Sequence, residues 1–229
     1  MECMSLPLSS TSAASAAEQL RELQERIHLL QGRRNREGTY PLLPAFSHLL
    51  PYGLRAGAVY SVQAPLSVAM ALLAGPSAQG HWCGVAGVPD FGAEAAAGFG
   101  ISLERTVLVP EPGDRWIVTV SALADVLPLL LVRIPASASA GDASRLSSRL
   151  RERGCTLLVL GRWAQAEGVL SVEGSRWEGL GDGYGHLRSH TVDLVWSQRG
   201  ARRTTSVDLA ALHADPTLWG EPRLAGGRP

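Results

Sequence analysis

Lysine is missing from this chain of 229 residues: every one of its 21 basic side chains is an arginine. We read that bias as codon composition before function. An excess of either charge is also missing, since 21 basic residues meet 21 acidic ones. No global field therefore draws the protein onto nucleic acid or acidic lipid, and any DNA contact has to come from a local patch. Cysteine is scarce and odd in number: Cys3, Cys83 and Cys155, with no CxxC pair. Cys83 and Cys155 stand in apolar, strand-like runs, where a reduced thiol behaves as a small hydrophobe. No basic segment followed by an apolar stretch opens the chain, so no signal peptide is expected. Nor does any run approach the roughly 20 apolar residues of a membrane span. A soluble, cytoplasmic protein is the expectation.

What is present suffices for one α/β domain with a sizeable core, an extra arm and a tail. Residues 1–14 are rich in Ser, Thr and Ala and are expected to be disordered. Residues 15–38 form a second unit. In it Leu20, Leu23, Ile27 and Leu30 recur at spacings of three and four, which predicts an amphipathic helix over Ser15–Gln31. Its apolar stripe either lies on the chain's own domain or docks on a partner. Two heptads are too few for a coiled coil.

From 39 to 209 strands and helices alternate. Strands are predicted at Ala58–Val62, Trp82–Val88, Thr106–Val109, Leu127–Ile134 and Thr156–Leu160. Helices are predicted at Ser67–Ala74, Ala93–Phe99, Arg115–Ala124 and Ala143–Arg153, the last closed by Gly154. Ala136–Gly141 reads as a loop. The continuous apolar run Leu127–Ile134 suits a strand buried on both faces. Regular β-α-β alternation predicts a mostly parallel, doubly wound sheet. After Gly161 the pattern changes to strands at Val169–Arg176, Leu187–Gln198 and Thr204–Leu209. These are joined by Gly-rich links at 177–185 and Arg199–Arg203, which predicts antiparallel strands on one edge. Residues 210–229, interrupted by Pro216 and Pro222, read as an irregular tail.

In such a fold the first strand–loop–helix unit is the usual phosphate site. Glycine-rich amides and a helix N-terminus cradle the anion, a Lys reaches it, and a Ser or Thr holds Mg²⁺. Here the connection is Gln63, Ala64, Pro65 and Leu66. It is shorter than an eight-residue GxxxxGK[ST] loop, contains no glycine, and loses an amide donor at Pro65. The acid expected at the end of an apolar strand is also missing, and Arg133 stands in Leu127–Ile134 instead. Asp90 and Glu94 are the nearest carboxylates to where a base could act, but without a cradle they have little to act on. His186 and His190 have helical metal spacing in a segment that reads as strand. There four residues span about 13 Å, too far for one ion. No cofactor, metal or catalytic residue is expected.

Several stretches carry a family resemblance: Leu54-Arg-Ala-Gly-Ala-Val-Tyr60; Ser67–Gly75 followed by Trp82-Cys-Gly-Val-Ala-Gly-Val-Pro-Asp-Phe-Gly92; Gly100-Ile-Ser-Leu-Glu-Arg-Thr-Val-Leu-Val-Pro-Glu-Pro-Gly-Asp-Arg-Trp116; and Val172-Glu-Gly-Ser-Arg-Trp-Glu-Gly-Leu-Gly181. From about Leu54 to Leu209 the chain resembles the ImuA-type mutasome accessory proteins, which are related to RecA and to SulA. The lost phosphate loop resembles the ImuA-prime subgroup. The resemblance implies a RecA-like fold and a role in DNA-damage-induced, error-prone translesion synthesis. It also implies an ImuB-type polymerase-like partner, an error-prone C-family polymerase reached indirectly, RecA as a further contact, and nucleoid association after damage.

Candidate working surfaces flank the core. Leu212, Leu218 and Trp219 in the tail either fold back or anchor a partner. Arg199, Arg202 and Arg203 form the best basic cluster, at an expected turn. By the resemblance, Arg162 and Trp163 follow the strand whose downstream loop binds single-stranded DNA in RecA. Stacking on Trp163 with arginine contacts to phosphate would be physically adequate, and a packed Trp beside a solvated turn is the plainer alternative. Two further functions stay open: a SulA-like inhibitor of the division GTPase, and a degenerate nucleotide-binding enzyme.

Overall fold

A computed structural model describes residues 38–135, 138–179, 186 and 188–214. The Ser15–Gln31 helix with Leu20, Leu23, Ile27 and Leu30 lies outside the described residues, as do Leu218 and Trp219. Among the described residues, ten strands and five α-helices follow in the order β1 (Thr39–Tyr40), β2 (Leu54–Arg55), β3 (Val59–Gln63), α1 (Leu66–Ala78), β4 (Cys83–Ala86), α2 (Ala93–Gly98), β5 (Thr106–Val109), α3 (Trp116–Val126), β6 (Leu129–Arg133), α4 (Ala140–Arg153), β7 (Thr156–Leu160), β8 (Gly168–Glu178), β9 (Ser189–Gln198), β10 (Ala201–Asp208) and α5 (Leu209–Ala214).

Eight strands form one sheet in the order β10-β9-β8-β3-β7-β6-β4-β5. The six strands from β8 to β5 run parallel, and β9 and β10 extend the sheet antiparallel. This is the mostly parallel sheet with an antiparallel C-terminal edge that the sequence predicts. The strand β3, first of the eight in the chain, is central, held by β7 on one side and β8 on the other.

Period-two alternation splits the core between the faces. On one face Tyr60, Val62, Cys83, Val85, Leu129, Leu131 and Leu158 pack with α1, α2 and α5. The same face takes the segment bearing Tyr40, Leu43, Phe46 and Leu49. On the other, Val59, Leu130, Val132, Leu157 and Val159 pack with α3 and α4 through Trp116, Val120, Leu146 and Leu150. Each fully buried Leu contributes about 1.5–3 kcal/mol. The helix α1 is buried over Val68–Ala74 and again at Pro76 and Ser77, as expected of a helix apolar all round.

Among the boundaries that differ from expectation, four have an identifiable physical reason. The helix α1 runs past Gly75 and Pro76 to Ala78. Gly75 there lies against the Pro41 and Leu42 backbone, where a Cβ would stand 2.6 Å from the Pro41 carbonyl oxygen. Tertiary contact overrides the breaker pair. The helix α4 begins at Ala140 inside the expected loop, because Ser139 and Asp142 make a reciprocal capping box. The strand β10 begins at Ala201, leaving only Arg199 and Gly200 in the turn, at φ 45° and 83°. That two-residue link with positive φ is the tightest hairpin geometry. Finally, the tail opens with a short helix rather than irregular chain: α5 follows β10 directly, and Asp208 accepts the Ala210 amide at 3.0 Å.

Candidate functional site

In open α/β sheets ligands bind beyond the carboxyl ends of the strands, where strand order reverses. Here the chain leaves β3 toward β4 on one side and returns from β7 to β8 on the other. The ends of β3, β6 and β7 surround a hollow of about 600 Å³ lined by Val62, Gln63, Ala64, Pro65, Leu66, Arg133, Leu160, Gly161 and Arg162.

The β3–α1 link is two residues, Ala64 and Pro65, shorter than the four expected. Pro65 caps α1 at φ −53° and ψ 151° without any side-chain cap. Beneath the link, Ser61 is fully buried and donates from Oγ to the Gly161 carbonyl at 2.6 Å. The Gly161 amide donates to the Val62 carbonyl at 2.9 Å. Two hydrogen bonds thus fasten the end of β7 to the end of β3. Gly161 itself, at φ 110°, turns the chain in a conformation that L side chains rarely adopt.

Arg133 ends β6 and points its guanidinium at Asp90, with contacts of 2.5 Å to Oδ1 and 3.1 Å to Oδ2. The loop that delivers Asp90 depends on Gly87, at φ 71°, where a Cβ would stand 2.4 Å from the Arg133 carbonyl oxygen. Val88, Pro89, Asp90 and Phe91 then form a turn closed by the Phe91 amide on the Val88 carbonyl at 3.1 Å, with Pro where turns favour it. Arg133 holds the Asp90 carboxyl below the ordinary range through this hydrogen-bonded pair. Asp90 is therefore an ion-pair partner, and Glu94 lies at the start of α2 with no part in the hollow.

Trp163 is corrected. It is 8% exposed and packs in the core with α3 and α4, its indole Nε1 buried with no hydrogen-bond partner among the described residues. It cannot offer a face for stacking. Its neighbour Arg162 is exposed and carries no hydrogen bond or ion pair among the described residues. Leu212 is corrected as well. At 4% exposure it packs in the same core as α1, so it is no exposed anchor.

The three arginines of the β9–β10 hairpin do not make one patch. Arg202 and Arg203 are adjacent in a strand, so the pleat sends them to opposite faces. Arg202 pairs with Glu173, and Arg203 donates to the Leu49 carbonyl at 3.2 Å on the face that carries the N-terminal segment. β10 is four strands from β7, so about 19 Å of sheet separates the cluster from Arg162. Arg199 lies in the turn, level with the start of β3 rather than its end.

Among the exposed aromatics, sequence reasoning did not single out Trp177. β8 continues seven residues past Ser171, the partner of Gln63 at the end of β3. With β9 it forms an arm reaching about 20 Å beyond the parallel strands. On it Trp177, 58% exposed, faces His190, the rings parallel within 9° and 3.5 Å apart. Ser175 Oγ meets His190 Nε2 at 2.9 Å. This cross-strand pairing follows once the register is known. No group of three potential metal ligands occurs among the described residues, and none of their helices is long and apolar enough to cross a membrane.

Fold and site geometry together define an α/β protein of RecA-like architecture. Among solved structures the RadB recombinase is similar, with a TM-score of 0.52 at 14% identity over 73% of this chain and 94% of that one. By sequence the chain belongs to the MT3502 N-terminal domain family, whose model matches residues 48–165. No curated protein matches significantly.

Proposed function

We propose that this protein is a non-catalytic adaptor of a DNA-damage-induced, error-prone translesion synthesis complex, in the ImuA-prime group of RecA-like proteins. The observation that carries the reading is the two-residue link between β3 and α1. A phosphate cradle of the P-loop kind needs a longer Gly-rich loop whose amides converge on the anion, with a Lys beside it. Ala64 and Pro65 offer one amide N–H between them, and the chain has no lysine. Arg133 stands where an Mg²⁺-orienting acid would be useful, and a guanidinium there repels the metal. The hollow does not fit a Mg²⁺–nucleotide.

The RecA-like fold and the motifs running from Leu54 to Gly181 support the remainder of the reading. Its partners are an ImuB-type polymerase-like protein, with RecA as a second contact and an error-prone C-family polymerase reached indirectly. DNA contact is weak or indirect, since the candidate arginines are scattered. Titration calorimetry of the full chain with Mg–ATP tests the first half, with no binding expected. A micromolar dissociation constant would overturn it. Co-purification with an ImuB-type protein tests the second half. Loss of that interaction on deleting 215–229, a cut that spares Leu212, is the expected result. A polymerisation assay on a division GTPase separates the adaptor from a SulA-like inhibitor.

A further inference from the structure

We propose that the hollow at the ends of β3, β6 and β7 receives the carboxylate of an acidic peptide segment on a partner protein, gripped by Arg133 and Arg162 beside an apolar wall. The inference deepens the adaptor reading and rests on it for the existence of a partner. It starts from three features that the loss of a phosphate loop does not by itself require.

The first is the pair of guanidinium groups. Arg133 and Arg162 leave neighbouring strands and line one hollow. Asp90 offsets the charge of Arg133, so Arg162 is the guanidinium that an incoming anion meets without an ion pair among the described residues. The frame is rigid on the Arg162 side, because Gly161 is bonded to β3 and Trp163 is buried. The second is that Arg133, on the rim of the hollow, already binds one carboxylate from outside its lining. Asp90 presents both oxygens to both terminal nitrogens of Arg133 at 2.5 and 3.1 Å, the fork geometry in which Arg recognises carboxylates. Asp90 satisfies Arg133 alone, and Arg162 is left without an ion pair among the described residues. The third is the wall. Val62, Pro65, Leu66 and Leu160 make much of the lining apolar. A free inorganic anion gains nothing from that surface, whereas an acidic residue next to an apolar one in a peptide uses both parts.

The chemistry therefore favours a peptide carboxylate over a polyphosphate, with Asp90 as the internal competitor that an incoming acid displaces. The full-length, nitrogen-15-labelled chain would be titrated with N-acetyl-aspartyl-leucine amide, its asparaginyl counterpart and inorganic pyrophosphate. We expect the aspartyl dipeptide to shift the amides of Gln63, Leu66, Gly161 and Arg162, and the asparaginyl one to leave them unmoved. Asp90→Asn should tighten dipeptide binding several-fold. Arg162→Gln should weaken it about tenfold, the weight of one charge-assisted hydrogen bond. Both positions are exposed, so neither substitution threatens the fold. Equal shifts from the two dipeptides, no shift even with Asp90→Asn, or tighter binding of pyrophosphate than of the dipeptide would each overturn the proposal. A silent dipeptide with silent Mg–ATP calorimetry removes this site and leaves the adaptor standing, whereas Mg–ATP binding removes the adaptor.

Discussion

In β6 and β7, Leu129, Leu130, Leu131, Leu157 and Leu158 are all fully buried, whereas in β10 every residue from Ala201 to Thr204 is exposed. Both stretches belong to one sheet. The parallel half is sandwiched between helices and shows almost no alternation of polarity, as a sheet covered on both faces should. The antiparallel half packs chiefly one face, through Val192, Leu194, Trp196 and Val207. The difference teaches where function can sit. The central parallel strands β7 and β6 have no open face, so chemistry there is confined to the rim where strands end. The antiparallel half can tolerate change over its open face and along its arm.

Substitution should expose the contrast most strongly at Leu157. Leu157→Ala leaves a cavity in the dry half and should cost about 2–5 kcal/mol, while Thr204→Ala on β10 should stay within about 0.5 kcal/mol. Urea denaturation of the two variants reads the difference, and equal losses would break the comparison. Alkaline pH sharpens it next. Burial pushes the Cys83 thiol of β4 up to about 12 from its ordinary 9.0. Above about pH 9 the unfolded chain releases that proton and the folded chain keeps it, so stability falls as pH rises toward 12. The loss should reach about 2 kcal/mol by about pH 10.5. Cys83→Ala should flatten that limb of the stability curve.

The junction of the halves comes third. Gly168 opens β8 against the Trp196 indole, where a Cβ would stand 2.2 Å from the ring. Gly168→Ala should therefore cost about 1–3 kcal/mol by overpacking, with loss of near-ultraviolet tryptophan signal. A smaller loss belongs to a helix that covers the parallel half. Ser139→Ala removes the capping box of α4 and should cost about 1 kcal/mol, read as a lowered Tm with the fold intact.

The plan of the sheet was legible because its signals are local. Leu127–Ile134 read as a strand buried on both faces, and β6 occupies Leu129–Arg133 of it, while Gly-rich links announced antiparallel pairing. The shortened link at Gln63–Leu66 was legible for the same reason, as a count of residues between two periodic segments. What escaped depends on neighbours distant in sequence. Trp163 and Leu212 are buried by elements that no local pattern identifies. Whether Arg202 and Arg203 form a patch is decided by the pleat, once β10 is known to start at Ala201. The Asp90–Arg133 pair needs the order β7-β6-β4, which brings together residues 43 positions apart. Trp177 and His190 needed the register of β8 on β9. The Ser139–Asp142 signal, by contrast, stood in the sequence as S-x-x-D and could have placed the start of α4.

The central position of β3 has a consequence for how the chain is made. Its anchoring contact, Ser61 to Gly161, joins residues 100 positions apart, and its other neighbour, β8, starts later still. At about 5–20 residues per second of synthesis, β3 waits on the order of 5–20 seconds after emerging before either flanking strand exists. During that interval an apolar strand with two open edges is available to any passing chain. Slowing translation across 64–160 should lengthen the exposure and lower the soluble yield, whereas slowing it after Asp208 should not.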